Sequence, residues 1–403
     1  MAALSDLKVV EFGAFAAGPA VGKHLADHGA EVIHVESQQR LDGFRTNYPP
    51  FKDGVPGPER SAMYAITHND KLGVTLNLKS PEAVALAMAL IRRADVVVEN
   101  FTPGTMSRFG LDADTLLEAN PRLVWVSTCN QGQTGPRANH PGFGTHLTSL
   151  AGFTQLTGWA DREPSLLWGP YIDYIAVAYG VIAVLAAIEQ RSKTGRGCRV
   201  DLSQLETGIQ FMTPVLLDYF ATGQVAERDG NRDPGAAPHG IYPTSADERW
   251  CAISIHDDQE WKTLLTLLGD PEWSRDEALD SLEGRKAAED LLDQKMSAWT
   301  AGQSREEVVS RLRAAGLRCA PVNDMQDLHS DPQLSLRQVW RKLKHPVIGE
   351  YSAVGPPFLL SETPASIESP APLLGEHNRR VFIDFLGLDE VEFERHKAEG
   401  VFD

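Results

Sequence analysis

Apolar residues in the first third of the chain fall into short runs, separated by stretches with helical spacing. Residues 7–12 (LKVVEF), 30–36 (AEVIHVE), 74–78, 95–99 (DVVVE) and 123–127 (LVWVS) read as strands. Segments 20–28, 81–94 and 112–118 between them read as helices, 81–94 with apolar positions three and four apart. Such alternation predicts βαβ units and a mostly parallel sheet, an α/β fold.

The pattern then changes. Residues 177–190 (VAYGVIAVLAAIEQ) are almost uncharged and predict a long helix, followed by a strand at 198–202 and an apolar helix over about 204–220. Segment 221–238 is rich in Gly, Asp, Arg and Pro and reads as a linker or mobile loop. Beyond it a strand at 250–255 and several amphipathic helices run to about 315, one opened by the capping box Ser304-x-x-Glu307. From Pro321 the chain is rich in proline and loops, ending in a helix at 379–386. The middle region, 221–320, therefore reads as a smaller, separate α+β domain with its linker.

Composition narrows the function. A chain of 403 residues, 42% hydrophobic, has enough core for two or three domains. A net charge of −17 disfavours nucleic acid or an anionic membrane surface as partner. No run of eighteen apolar residues and no basic, apolar leader occurs, so a cytoplasmic location without membrane attachment is expected. Cys129, Cys198, Cys251 and Cys319 are widely spaced, which fits reduced thiols and predicts no metal site.

One charge stands out. Asp173 lies where Leu167-Trp168-Gly169-Pro170-Tyr171-Ile172 meets the long apolar helix, with no other charge nearby in sequence. Burying it costs several kcal/mol, unless something such as the N–H groups of a helix N-terminus stabilises the anion. The position suits a dry, ionised, nucleophilic carboxylate.

Other motifs are weaker. Gly13 to Pro19 forms a first βα turn with Glu36 ending the next strand, but its GxxxxG spacing is wrong for a dinucleotide fingerprint. A tight turn that brings backbone close to a ligand or neighbour explains it better. Asn69-Asp70-Lys71 and Asn100-Phe101-Thr102-Pro103-Gly104 with Arg108 sit at predicted strand ends, where ligands bind in open α/β sheets. His140, His146 and His239 have no metal-ligand spacing, and no serine has a nucleophile-elbow context.

In order along the whole chain, these motifs resemble class III CoA-transferases of the formyl-CoA transferase and carnitine CoA-transferase type. The matching stretches include Glu11-Phe12 with Gly18-Pro19, Gly29-Ala30-Glu31-Val32-Ile33, Asn69-Asp70-Lys71, Glu99-Asn100-Phe101 with Pro103-Gly104, and Gly132-Gln133-Thr134-Gly135-Pro136. Lys193-Thr194-Gly195-Arg196-Gly197, Ala237-Pro238-His239-Gly240 and Pro372-Leu373-Leu374-Gly375-Glu376-His377 continue the series. The resemblance implies that Asp173 attacks an acyl-CoA, forming an aspartyl anhydride and then an aspartyl-CoA thioester, before CoA leaves on an acceptor carboxylic acid. It places Gly18, Pro19, Lys71, Asn100, Phe101, Arg108 and Gln131 around CoA, and residues 233–239 as a flap. It implies CoA thioesters as substrates without a resident cofactor, succinyl-CoA as the expected donor, and an interlocked homodimer of ring-shaped subunits, each with a Rossmann-like α/β large domain formed by 1–220 and completed by a returning segment, 321–403, around the smaller domain at 221–320. A heteromer with a paralogue is the other assembly considered.

Three departures are visible. Ser37 stands where a basic residue often meets CoA, with Arg40 near; Asn130-Gln131 replace a Gly-aromatic pair; and the flap holds only Gly235. The rival readings are an α-methylacyl-CoA racemase and one subunit of a heteromeric transferase. Gly142-Phe143-Gly144 stands where a racemase has Gly-His-Asp, so the acid–base pair is missing.

Overall fold

A computed structural model describes residues 2–403. Six strands, β1 (Lys8–Phe12), β2 (Glu31–Glu36), β3 (Lys71–Thr75), β4 (Val96–Glu99), β5 (Val124–Cys129) and β6 (Cys198–Ser203), form one sheet in the order β3-β2-β1-β4-β5-β6. All five pairings are parallel. The order reverses between β1 and β4, so the crevice beyond their C-terminal ends is the topological switch point at which such sheets bind ligands.

Side chains alternate along each strand, and both faces are covered. Val10, Phe12, Ile33, Val35, Val97 and Trp125 pack against helix Pro81–Arg93 and the C-terminal Phe382 and Phe402. Val9, Val32, Val96, Val98, Val124 and Val126 pack against helices Ala17–Asp27 and Tyr171–Thr194 through Val21, Leu25, Val177 and Val184. Burying aliphatic side chains of this size contributes roughly 1.5–3 kcal/mol each, so the two faces carry most of the sheet's stability.

The chain divides into two compact units. The first takes residues up to Gln155, Ser165–Ala226 and Gln333–Asp403; the second takes Leu156–Pro164 and Glu227–Pro332. Segment Leu156–Pro164, read in sequence as part of the large domain, thus belongs to the second unit. That unit has its own antiparallel sheet of β7 (His239–Pro243), β8 (Trp250–Ser254) and β9 (Arg318–Pro321), over a core including Trp261, Leu264, Leu292 and Leu312.

Several elements differ from the periodic reading. β3 begins at Lys71, three residues before the expected start, because the lysine charge is neutralised inside the fold. The expected helix 204–220 is two helices, Gln204–Phe211 and Thr213–Thr222, broken at Met212 just before Pro214. The proline-rich return segment contains an antiparallel hairpin of β10 (Trp340–His345) and β11 (Gly349–Val354). Residues 233–239 are tied down: Ala237 N–H donates to Ile255 O and Ile255 N–H donates to Pro238 O, each at 3.0 Å, and Arg285 donates to Ala237 O at 3.0 Å. Segment 233–239 is therefore not a free loop.

Candidate active site

The turn after β1 is shaped by the residue after β4. Asn100 donates from Nδ2 to Ala14 O at 2.8 Å and accepts from Ala14 N–H at Oδ1 at 3.1 Å. A Cβ on Gly13, which has φ +145°, would lie 1.8 Å from that Oδ1. The neighbour for which the glycine turn makes room is thus an asparagine of the same chain. Gly18 and Pro19 open helix Ala17–Asp27 beside it, where a Cβ on Gly18 would lie 3.1 Å from the Asn100 side chain.

Lys71 is brought to the same place but is not presented to a ligand. Its ammonium is buried, 2.9 and 3.1 Å from the two Glu11 oxygens and 2.7 Å from Pro19 O. The expectation that it contacts CoA is therefore replaced by a structural role: it neutralises Glu11 and ties the first helix to the sheet. Arg108 is exposed on helix Thr105–Arg108, bonded at 2.7 Å to Thr105 Oγ1. Phe101 is half-buried and meets Phe109 edge to face at 6.4 Å. Gln131 follows β5, with its side-chain oxygen buried and without a hydrogen-bond partner.

Asp173 is the third residue of helix Tyr171–Thr194, which starts earlier than the sequence reading placed it. Asp173 is half-buried, and that burial alone pushes its carboxyl from 3.8 up to about 7. The helix terminus does not offset that cost: the carboxylate gains fractions of a kcal/mol from a helix dipole, against several for desolvation. Its surroundings are close-packed. A Cβ on Gly144 would lie 2.8 Å from Asp173 Cγ and 2.5 Å from Pro170 Cβ, so only glycine lets helix Gly144–Leu150 start this close.

Asn130 holds that approach in place by donating to Gly142 O at 2.8 Å. Phe143 precedes Gly144, and its N–H donates to His146 Nδ1 at 3.1 Å, which leaves His146 engaged with its own helix start. The exposed Phe143 ring meets Phe15 edge to face at 6.2 Å, and Phe15 meets Phe44 and Tyr48 at 5.7 and 5.9 Å. Sequence reasoning missed Phe15, Asp42, Phe44 and Tyr48. The available signal was Asp42-Gly43, an N-cap followed by a residue without a side chain, just past the end of β2.

Behind these rings lies a buried polar network. Arg45 bonds Glu36 at 2.8 Å and Glu59 at 2.8 Å, and its guanidinium stacks 3.5 Å over Tyr64. Glu11, His34 and His68 offer ligand atoms within 4.8 Å of one another, a spacing that a metal ion could use. Lys71 already supplies the positive charge there, at both Glu11 oxygens.

The chain is similar to known proteins over nearly its whole length. The profile of "CoA-transferase family III" matches residues 4–378. The chain is 33% identical over 398 residues to succinyl-CoA–D-citramalate CoA-transferase of Chloroflexus aurantiacus, covering 99% of this chain and 98% of that one. It is 30% identical to succinate–glutarate CoA-transferase of Agrobacterium fabrum, covering 94% and 95%. The crystal structure of a CAIB/BAIF family protein from Brucella suis superposes with a TM-score of 0.88 at 30% identity, covering 95% of this chain and 99% of that one. With a family match across nearly its whole length and curated CoA-transferases as relatives over nearly the full chain, the chain belongs to CoA-transferase family III and is a CoA-transferase.

Proposed function

We propose that this enzyme transfers CoA from an acyl-CoA donor, with succinyl-CoA the first candidate, to a carboxylic acid through covalent intermediates on Asp173. The observation that carries this reading is the Asp173 carboxyl itself, half-buried and pushed up to about 7 by desolvation alone. A carboxylate stripped of part of its solvation and without a counter-ion is a stronger nucleophile than one in water. One Asp173 oxygen attacks the thioester carbonyl; the C–S bond breaks, giving an anhydride and CoA thiolate. The thiolate then attacks the aspartyl carbonyl, releasing the donor carboxylate and leaving aspartyl-CoA. The acceptor carboxylate reverses these two steps, and Asp173 returns as carboxylate with no net proton change.

The donor in the name of the Chloroflexus relative supports succinyl-CoA as donor. Exposed Arg108 and Arg40 are suited to CoA phosphates, and Phe101 to the nucleotide. The four free thiols support a reducing, cytoplasmic location. Helix Tyr171–Thr194 is long and apolar enough to cross a membrane by length and composition, yet only 33% of its most apolar window is buried. Its outward Tyr174, Tyr179, Ile182 and Leu185, with exposed Leu217 and Phe220, support a second copy of the chain, interlocked as the family resemblance implies, as its cover.

Asp173→Ala is expected to abolish transfer while leaving CoA bound, with wild-type adduct captured by hydroxylamine and mapped by mass spectrometry to Asp173. An adduct on another residue overturns the assignment. Sedimentation showing a monomer of the purified chain would overturn the homodimer.

A further inference from the structure

The ring cluster that begins at Phe143, the residue before Gly144 at the Asp173 carboxyl, is held by a device that the transfer chemistry does not itself require. Phe15 has φ +64°, a left-handed conformation that is unusual for a bulky residue. Its N–H is fixed at 3.0 Å on Asp42 Oδ1, an oxygen that also accepts from Phe44 N–H at 2.7 Å. Asp42 is buried, so this one carboxylate oxygen orients two aromatic residues at once. The Phe15 ring fills the space that a side chain at position 43 would take: a Cβ on Gly43 would lie 2.1 Å from it. From that slot the ring reaches Phe143, the residue before the glycine that touches Asp173. Arg45, the cation next to Phe44, is buried and saturated by Glu36 and Glu59.

We propose that Phe15, with Phe143 and Tyr48, forms the apolar wall of the acyl pocket and selects acyl groups with an alkyl, branched or aryl body next to the thioester carbonyl, and that Asp42 is the positioning residue that holds this wall. The inference rests on Asp173 being the reacting carboxylate. Strained backbone at a site is retained where it presents a side chain that the unstrained chain would turn away. A wall of edge-to-face rings binds methylenes and aryl groups without directional demands.

The test separates this from the reaction itself. In full-length Asp173→Ala protein, where no transfer occurs, dissociation constants are measured by calorimetry for butyryl-CoA, acetyl-CoA and free CoA. Two extra methylenes against the wall are expected to favour butyryl-CoA about tenfold. Adding Phe15→Asn, a residue tolerant of the left-handed conformation, is expected to bring that ratio close to one with free CoA binding unchanged. Asp42→Ala is expected to do the same, and Asp42→Asn, which keeps the accepting oxygen, to restore the ratio. A parent ratio near one, or a tenfold ratio that survives Phe15→Asn, overturns the proposal. Should Asp42→Ala not fold, Phe143→Ala in the same background takes its place, with the same expected fall in ratio. Failure of the nucleophile assignment would show separately, as wild-type adduct mapping elsewhere than Asp173.

Discussion

Replacing Asp173 by asparagine should inactivate the enzyme and, at neutral to alkaline pH, stabilise it. The carboxyl goes from 3.8 in an unfolded chain to about 7 in the native protein, through burial. At 1.36 kcal/mol per pH unit this gap corresponds to about 4 kcal/mol, which water entry and relaxation reduce to about 2–4. The sign follows from the direction. The native state keeps a proton that the unfolded chain releases, so the group's contribution is complete below pH 3.8 and is lost as pH rises through about 7. The asparagine side chain never ionises and escapes that loss. Calorimetric melting of both proteins from pH 5 to pH 8.5 should therefore show the variant's advantage growing by about 2–3 kcal/mol, most of it before pH 7. A constant difference, or a variant less stable at pH 8, would refute the reasoning, since it would mean that helix N–H groups stabilise the anion more than burial penalises it. The same titration should appear in catalysis: wild-type kcat/KM for acyl-CoA should climb about tenfold per pH unit below about 7 and level off above it.

Two further substitutions probe the surroundings. Lys71→Met leaves Glu11 buried without its cation and should cost about 3–5 kcal/mol in thermal stability, while affinity for CoA changes less than about threefold, which equals ~0.6 kcal/mol; a large loss of CoA affinity in a stable protein would return Lys71 to the binding site. Gly144→Ala forces a Cβ to within 2.8 Å of Asp173 Cγ, so the helix or the carboxyl must move, and kcat should fall about 10²-fold for a displacement near 1 Å. Unchanged kcat would show that the approach of helix Gly144–Leu150 does not position the nucleophile.

The local alternation of apolar positions was enough to place the strand–helix units of the large domain, because each strand and helix must present its own apolar face wherever it ends up. It also isolated Asp173, since a lone charge at the head of helix Tyr171–Thr194 is visible without knowing its neighbours. Motif order along the chain added the family and the reaction that it implies. What periodicity could not supply were partners distant in sequence. Lys71 looks like a ligand contact until Glu11, 60 residues away, is found against it. Glycines 13 and 144 are explained only by Asn100 and Asp173 lying over them. The missed hairpin of β10 and β11 lies in a proline-rich stretch whose pairing is decided between strands and not within them. Above all, the environment of Asp173 was decided by tertiary structure. Sequence suggested a helix end that would keep the carboxylate charged; packing left it half-buried, and burial moves its carboxyl upward.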